Sequence, residues 1–296
     1  MAAHLHGVAA TGPGPRATAI PVQVTKERLD GLGAEAGIRP VAAEVAVNVV
    51  YGTVPYAVMM MTPADLEDFA VGFSLTEGVI QARDDIRGTQ VEDDPGGLRL
   101  VVNLAPARFH TLLARRRSMS GRTSCGVCGI EDLAAVPRTP RRLRDHAPAS
   151  TAAIRHALDE LPGLQALNKD TGAVHAAAWA GPDGAIACLR EDVGRHNALD
   201  KLVGALLTRG VDTSTGFLLV TSRCSYEMVE KAAAVGAGTL VAISAPTALG
   251  VERARHHGIT LIGLARQDTM TVFTGPEVSG GFVARTRPVV AGPGPE

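Results

Sequence analysis

Phe217-Leu218-Leu219-Val220-Thr221, Leu240-Val241-Ala242-Ile243 and Ile259-Thr260-Leu261-Ile262-Gly263-Leu264 are three short apolar runs. Between them lie Tyr226 to Val235 and Ala248 to His257, each with apolar residues on a helical period. The order is βαβαβ, which predicts a parallel sheet with right-handed crossovers. In such a sheet ligands sit beyond the carboxyl ends of the strands. Those ends carry Thr221-Ser222-Arg223, Ser244-Ala245-Pro246-Thr247 and Ala265-Arg266-Gln267-Asp268-Thr269. Hydroxyls, amides and two arginines on loops that largely open into helices suit phosphate, because helix N-termini offer free N–H groups and a positive dipole end. The expected ligand is anionic and nucleotide-like. Any single Ser or Thr there also has a plainer reading as a helix cap; the convergence of three loops favours ligand binding only for the group.

Working upstream, Asn197 to Leu207 reads as a helix, and Val174 to Ala180 with Ala185 to Leu189 as strands joined by Gly181-Pro182-Asp183-Gly184. Thr151 to Leu161 is also helical in pattern. A Pro/Arg stretch around Pro137 to Pro148 is a candidate boundary. Before it, Glu44 to Val50 and Val54 to Met61 flank Tyr51-Gly52-Thr53 as a hairpin. Thr62-Pro63-Ala64-Asp65 offers an N-cap and a proline at the first helical position for a helix ending at Gly78, and Leu98 to Leu104 is a further strand. The reading divides the chain into a disordered tail (1–20), an αβ portion (21–114), an Arg-rich CxxC loop and linker (115–148), a C-terminal α/β domain (149–287) and a second tail (288–296).

With 296 residues, 46% apolar and 20% charged, the chain is of ordinary globular composition. No run approaches the roughly 20 apolar residues of a spanning helix, and the first residues lack the pattern of a secretory signal. A cytoplasmic protein with no membrane role is expected. A net charge of −1 and sparse aromatics give no support for nucleic-acid binding. Four cysteines at 125, 128, 188 and 224 are too few for a disulfide framework.

Charge is instead concentrated locally. Between Arg108 and Arg144 there are nine arginines against Glu131 and Asp132, and this stretch holds Gly121-Arg122-Thr123-Ser124-Cys125-Gly126-Val127-Cys128-Gly129. Positive neighbours stabilise a thiolate, the reactive form of cysteine. Three readings of the pair compete. A zinc site needs two further ligands, and no second CxxC or HxxxH occurs; the zinc nucleobase deaminases need H-x-E before P-C-x-x-C, and both H-x-E and the proline are missing. A thioredoxin-type motif opens a helix after a strand, whereas this one lies among glycines and arginines. A reactive, sulfur-carrying pair is favoured over zinc and over an inert loop. The dense stretch Arg190-Glu191-Asp192-Val193-Gly194-Arg195-His196-Asn197-Ala198-Leu199-Asp200-Lys201 also has two readings. Either the stretch orients a ligand or moves a proton, with His196 as a general acid/base, or Asp192 or Asn197 caps the helix while Asp200 and Lys201 face solvent and His196 is the satisfied partner of a nearby carboxylate.

Thr123 to Gly129, Glu191 to Lys201, Ser225-Tyr226-Glu227-Met228-Val229-Glu230-Lys231-Ala232-Ala233 and Ser244-Ala245-Pro246-Thr247 together resemble the motifs of the formate dehydrogenase accessory sulfurtransferase family, FdhD, in the same order. The resemblance runs from about Val41 to Phe273. It implies a cytidine-deaminase-like three-layer α/β fold, with the βαβαβ unit as its C-terminal half and a smaller N-terminal αβ portion. It implies a sulfurtransferase that takes sulfur from a cysteine desulfurase as a cysteine persulfide. The sulfur goes to the molybdenum bis(molybdopterin guanine dinucleotide) cofactor, bound as substrate, before insertion into the formate dehydrogenase catalytic subunit. Guanine nucleotide is expected to mimic that cofactor, and a homodimer is implied. Cys125 matches the persulfide-bearing cysteine and Cys128 its partner. Leu264, Ala265, Arg266, Gln267, Asp268 and Thr269 match the cofactor-binding segment, with Leu264 where the family commonly has Phe. Ser222, Arg223, Ser244 and His196 complete the expected cofactor site, and no metal ligands are expected. The alternative is a nucleotide- or phosphosugar-binding regulatory module whose thiol pair senses redox state.

Overall fold

The computed structural model describes residues 16–31, 33–117, 143, 146, 149–266 and 268–275. The three apolar runs form β9 (Phe217–Val220), β10 (Thr239–Ala242) and β11 (Thr260–Gly263), paired in parallel and linked by α6 (Tyr226–Val235) and α7 (Ala248–His257). Every residue of these strands is buried, as expected for strands covered on both faces. β12 (Thr271–Thr274) adds antiparallel to β11, and β7 (His175–Ala180) antiparallel to β9, with β8 (Ile186–Asp192) outermost. Since β8 and β9 both run opposite to β7, the carboxyl ends of β8, β9, β10 and β11 share one edge.

Three layers result. On one face of this six-stranded sheet, Ile154, Ala157 and Leu161 of α3 (Thr151–Leu164) pack on Ala178, Phe217, Leu219, Val241 and Ile262. On the other, Leu199, Leu202 and Leu206 of α5 (Arg195–Thr208), Val229 of α6 and Ala254 of α7 pack on Ala177, Leu218, Leu240 and Leu261. A second sheet, β4-β3-β6-β5, is built from β3 (Val45–Tyr51), β4 (Val54–Met61), β5 (Ile86–Asp94) and β6 (Gly97–Leu104). It has its own core with α1 (Leu66–Thr76) and α2 (Pro106–Arg117), centred on Val49, Phe69, Phe73 and Leu100.

The two sheets are joined where α1 crosses α5. A Cβ on Gly72 would collide with the Asp200 carbonyl, and one on Gly204 with the Asp68 carbonyl, so the backbones touch directly. The pairing of Asp68 with Gly204 and of Gly72 with Asp200 makes the two helices antiparallel.

The βαβαβ unit, the hairpin around Gly52, and the strands and helices expected between Thr151 and Leu207 are present with shifts of one to three residues at their ends. Thr62 is not the cap of α1, which begins at Leu66 after Asp65 in a left-handed conformation (φ 52) with no side-chain cap; Thr62 is drawn into the joint between the sheets instead. Elements without an expected counterpart are β1 (Ala19–Glu27) paired with β2 (Ala34–Ala42), β5, α2, α4 (Ala166–Thr171) and β12. Ala19 and Ile20, placed in the tail by the sequence, belong to β1. These elements are short, lie at a sheet edge or stand in solvent, so no buried stripe marks them.

Gly→Ala in a helix interior ordinarily gains up to about 1 kcal/mol. At Gly204 the sign should reverse, with Gly204→Ala costing about 3 kcal/mol through forced separation of the helices, read as a lowered urea midpoint.

Candidate functional site

At the shared edge, three loops are laced together. Cys224 N–H donates to the Ala245 carbonyl (3.3 Å), Thr247 N–H to the Cys224 carbonyl (2.9 Å) and Leu264 N–H to the Ser244 carbonyl (3.2 Å). Leu264 is exposed with φ 51, a left-handed conformation unusual for a non-glycine residue and found where surrounding structure enforces it. Arg266 N–H closes a short turn onto the Thr269 carbonyl (2.8 Å). Ala265 is buried under the edge, while Arg223, Arg266 and Thr269 are exposed on it. Asp268 is also exposed and lies 3.7 Å from Arg155. Gln267 lies outside the described residues, as do Cys125 and Cys128.

The plainer reading wins at several hydroxyls. Thr247 Oγ1 accepts from Gly250 N–H (3.1 Å) and caps α7; Thr221 Oγ1 accepts from Ala176 N–H (2.9 Å) and ties β9 to β7. Ser222 is buried and donates to the Arg223 carbonyl (3.0 Å). Ser244 is half-buried on the edge. Ser225, at the N-cap of α6, makes no side-chain cap bond, and its Oγ is buried with no hydrogen-bond partner among the described residues.

The stretch from Arg190 to Lys201 divides by role. Asp192 Oδ2 accepts from Thr62 N–H (3.1 Å) and pairs with Lys201 Nζ (2.5 Å); Oδ1 accepts from Gly194 N–H (2.7 Å) and Asn197 Nδ2 (3.1 Å). Lys201 also donates to the Thr62 carbonyl (2.9 Å) and Asn197 to the Met60 carbonyl (2.9 Å). Asp200 accepts from Lys231 Nζ at both oxygens (2.9 Å each) and from Thr76 Oγ1 (2.8 Å). Asp200 and Lys201 are therefore buried and do not face solvent: the joint between the sheets needs their charges paired inside it. Burial opposes the Lys231 ammonium, but Asp200 and Glu77 outweigh it and raise its pKa. Glu191 caps α4, accepting from Leu167 and Asn168 N–H (2.8 and 2.9 Å), and Arg190 grips Asp68 of α1 (2.6 Å).

What remains for chemistry is Arg195 and His196. α5 begins after Gly194 with no side-chain cap, and Arg195 Nε is buried without a hydrogen-bond partner among the described residues. His196 Nε2 lies 3.0 Å from Glu227 Oε2, which draws the starts of α5 and α6 together. The contact with His196 holds the Glu227 carboxyl below the usual glutamate range against the opposing effect of burial. A depressed carboxyl contributes stability above the unfolded value of about 4.3 and loses it as pH falls through the folded value. Two helix N-termini, an arginine, a histidine paired with Glu227 and a Ser225 hydroxyl with no partner among the described residues thus come together near the exposed Arg223, an arrangement suited to an anion. Sequence reasoning named His196 and passed over Arg195, Ser225 and Glu227, which the structure brings to the same helix starts; their signal was position at the start of a helix following a strand. Among the described residues, no group of three or more His, Cys, Asp or Glu could hold a metal ion, and no helix is long and apolar enough to cross a membrane.

Cys188 and Cys224 are both buried. Burial raises the Cys188 thiol and pushes that of Cys224 up to about 12.

The sequence profile of the FdhD/NarQ family matches residues 42–279. The chain belongs to this family. It is 50% identical over 237 residues to the sulfur carrier protein FdhD of Xanthomonas euvesicatoria pv. vesicatoria, covering 80% of this chain and 84% of that one. It is 49% identical over 237 residues to the sulfur carrier protein FdhD of Cupriavidus necator, covering 80% and 82%. A crystal structure of a proposed formate dehydrogenase accessory protein from Desulfotalea psychrophila has the same fold, with a TM-score of 0.68 at 24% identity over 88% of this chain and 99% of that one. The FdhD/NarQ match spans both Cys125 and Cys128 and all of the edge just described.

Two outcomes are expected. Lys201→Met, which leaves Asp192 buried beside no cation, should cost about 3–5 kcal/mol in chemical denaturation. In a Cys125→Ala/Cys128→Ala variant, native protein at pH 8 should show no fast-reacting thiol in a chromogenic disulfide assay, with two appearing on unfolding, because the remaining pair is held protonated.

Proposed function

We propose that this chain is a sulfur carrier for formate dehydrogenase, loading sulfur on Cys125 and delivering it to a molybdenum bis(molybdopterin guanine dinucleotide) substrate bound at the strand-end edge. The observation that carries the reading is about 50% identity, over nearly the whole folded chain, to sulfur carrier proteins, with the thiol pair inside the matched span. The cytidine-deaminase-like ancestry of the three-layer domain and the assembly into a homodimer belong to the same proposal.

In the loading step the Cys125 thiolate attacks the terminal sulfur of a cysteine desulfurase persulfide. A new S–S bond forms, the donor's S–S bond breaks, and the desulfurase cysteine leaves as thiolate. The terminal sulfur on Cys125 is anionic, and neighbouring arginines favour that form. In the delivery step the Cys128 thiolate attacks the Sγ of Cys125. A Cys125–Cys128 disulfide forms, and the terminal atom departs to the metal as sulfide, the two thiolates having supplied its two electrons. A cellular dithiol then returns the pair to the reduced state.

Two features of the fold support the placement. The guanidinium of Arg115, in the last turn of α2, donates to the Glu77 carbonyl (3.0 Å) at the end of α1. Glu77 feels both Lys231 and Glu227, so the C-terminal end of α2 lies on the side of the molecule where α5 and α6 begin. At those helix starts, Ser225 Oγ and Arg195 Nε are buried polar atoms with no hydrogen-bond partner in the described chain, which fits oxygen-rich pyrophosphate, as do Arg223 and Arg266. His196 and Ser244 complete the contacts, with Ala265 and Ser222 supporting the loops from beneath.

Incubation with a desulfurase and cysteine should add one sulfur atom to the intact mass, in a form removed by a thiol reductant, and Cys125→Ala should abolish the adduct. Guanosine diphosphate binding should weaken about tenfold in Arg195→Gln, the order expected for one charge-assisted contact. Binding of guanosine diphosphate without any sulfur adduct would favour the nucleotide-binding regulatory module instead.

A further inference from the structure

His175 opens β7 and is half-buried. β7 runs opposite to β8 and β9, so its first residue stands at the shared edge. The next residue, Ala176, is bonded to Thr221 in both directions, donating to the hydroxyl (2.9 Å) and accepting from the N–H (3.0 Å). His175 therefore lies beside the loop that leaves β9 for Ser222 and Arg223. Alternation along the strand puts it on the face of Ala177 and Trp179, which α5 covers. Directly opposite on β8 is Asp192, two residues before the Gly194 that precedes α5. His175 is thus level with the first turn of α5, which carries Arg195 and His196.

Every carboxylate around it is already committed. Asp192, facing it across the ladder, accepts from Thr62, Gly194, Asn197 and Lys201. Glu191 belongs to the opposite face and caps α4, Glu227 of α6 pairs with His196, and Asp65 and Asp68 pair with Arg190. Among the described residues the His175 ring has no hydrogen bond and no ion pair. The remaining charges at this level are cationic: Arg195 at the start of α5 and Arg223 on the exposed loop. Burial lowers the His175 pKa, Arg195 lowers it further, Asp192 opposes them and His196 again lowers it. The empty chain accordingly holds the ring neutral at pH 7.

An anion in the same place reverses that field. Arg195 Nε and Ser225 Oγ, buried without hydrogen-bond partners among the described residues, are the donors it would meet. Resting on the reading of this edge as a pyrophosphate site, we propose that His175 is a further binding residue, which takes up one proton from solvent as the anion arrives and meets it as imidazolium. On release of the ligand the proton returns to solvent. A fixed cation at this position would stand unpaired beside Arg195 whenever the site was empty; histidine carries the charge only while the counter-charge is present. The sign of the pH dependence follows. A group whose pKa is higher in the bound state favours binding at low pH, and that advantage is lost as pH rises through the bound value.

Isothermal titration calorimetry of the full chain with guanosine diphosphate mannose tests this, because both phosphates of that probe are doubly substituted and have no proton to titrate near neutrality. At pH 7, heats measured in buffers of different ionisation enthalpy should show net proton uptake on binding. The dissociation constant should rise about tenfold between about pH 6 and pH 8.5, the change expected for a shift of one pKa unit. In His175→Gln, with an unchanged thermal transition as the check on folding, uptake should vanish and the pH dependence should shrink to less than about twofold. Binding by the parent chain with no proton uptake would overturn the assignment while leaving the pyrophosphate site standing, as would uptake that survives in both His175→Gln and His175→Asn. Absence of binding at every pH would instead sink the reading of the edge itself, and the role of His175 with it.

Discussion

The direct backbone contact between α1 and α5 fixes the relation of everything else in the molecule. Gly72 and Gly204 let the helices approach until carbonyl oxygens occupy the space where side chains would be. At that separation any polar group trapped beside the contact must find its partner within the joint. The chain meets this with two buried ion pairs, Asp192 with Lys201 and Asp200 with Lys231, and with backbone groups of Thr62 that complete the first pair. Asp192 accepts from four donors and Asp200 from two, so neither carboxylate is left with an uncompensated charge. The candidate edge depends on this joint because α5 runs from the edge into the joint, and its first turn carries Arg195 and His196.

Such pairs are poor sources of net stability, since desolvation offsets most of the Coulomb gain. Their value here is positional. An apolar substitute for Lys201 could fill the same volume, yet it would hold neither the Thr62 carbonyl nor Asp192, and the β4–α1 connection would keep only its direct bonds to Asp192 and Val193. Glycines and buried charges act together: the first permit the close approach, and the second select one register of it, because sliding α5 by one turn would separate both pairs at once. That register presents His196 to Glu227 and leaves the N–H groups of two helix starts facing the same place.

The βαβαβ half was legible because its strands are buried on both faces and its helices end at glycines, so periodicity and punctuation agree. The edge was legible for the same reason, since topology alone brings the loops after β9, β10 and β11 together. The roles within the stretch from Arg190 to Lys201 were not. Aspartate and lysine in the first half of a helix ordinarily read as a solvated face, and only a second helix contributed by a segment some 130 residues earlier buries them. The ribbon of β1 and β2 escaped notice because it buries almost nothing, and a strand without a covered face leaves no alternation to find. Thr62-Pro63-Ala64-Asp65 has every mark of a helix start, but three polar groups of Thr62 are used across the joint, and a cap that serves tertiary structure cannot also serve its own helix.

The four thiols divide by environment in a way that matters to a carrier of reactive sulfur. A persulfide exchanges with any accessible thiolate, so a second reactive cysteine on the body would drain the load. Cys224 lies directly beneath the anion-suited edge, in the loop that links β9 to α6, and is the most dangerous position in the fold for such leakage. Its burial raises the cost of ionisation until the thiolate is negligible at neutral pH. Its backbone N–H and carbonyl meanwhile hold Ala245 and Thr247 in place. Cys188 is protected in the same manner, its burial outweighing the opposing pull of Arg190, whose guanidinium also pairs with Asp68. On the proposed reading the arginine-rich stretch does the reverse for Cys125 and Cys128, favouring the thiolate. On that reading the same element, sulfur, is made inert by desolvation at Cys188 and Cys224 and reactive by the neighbouring charge in the sequence at Cys125 and Cys128.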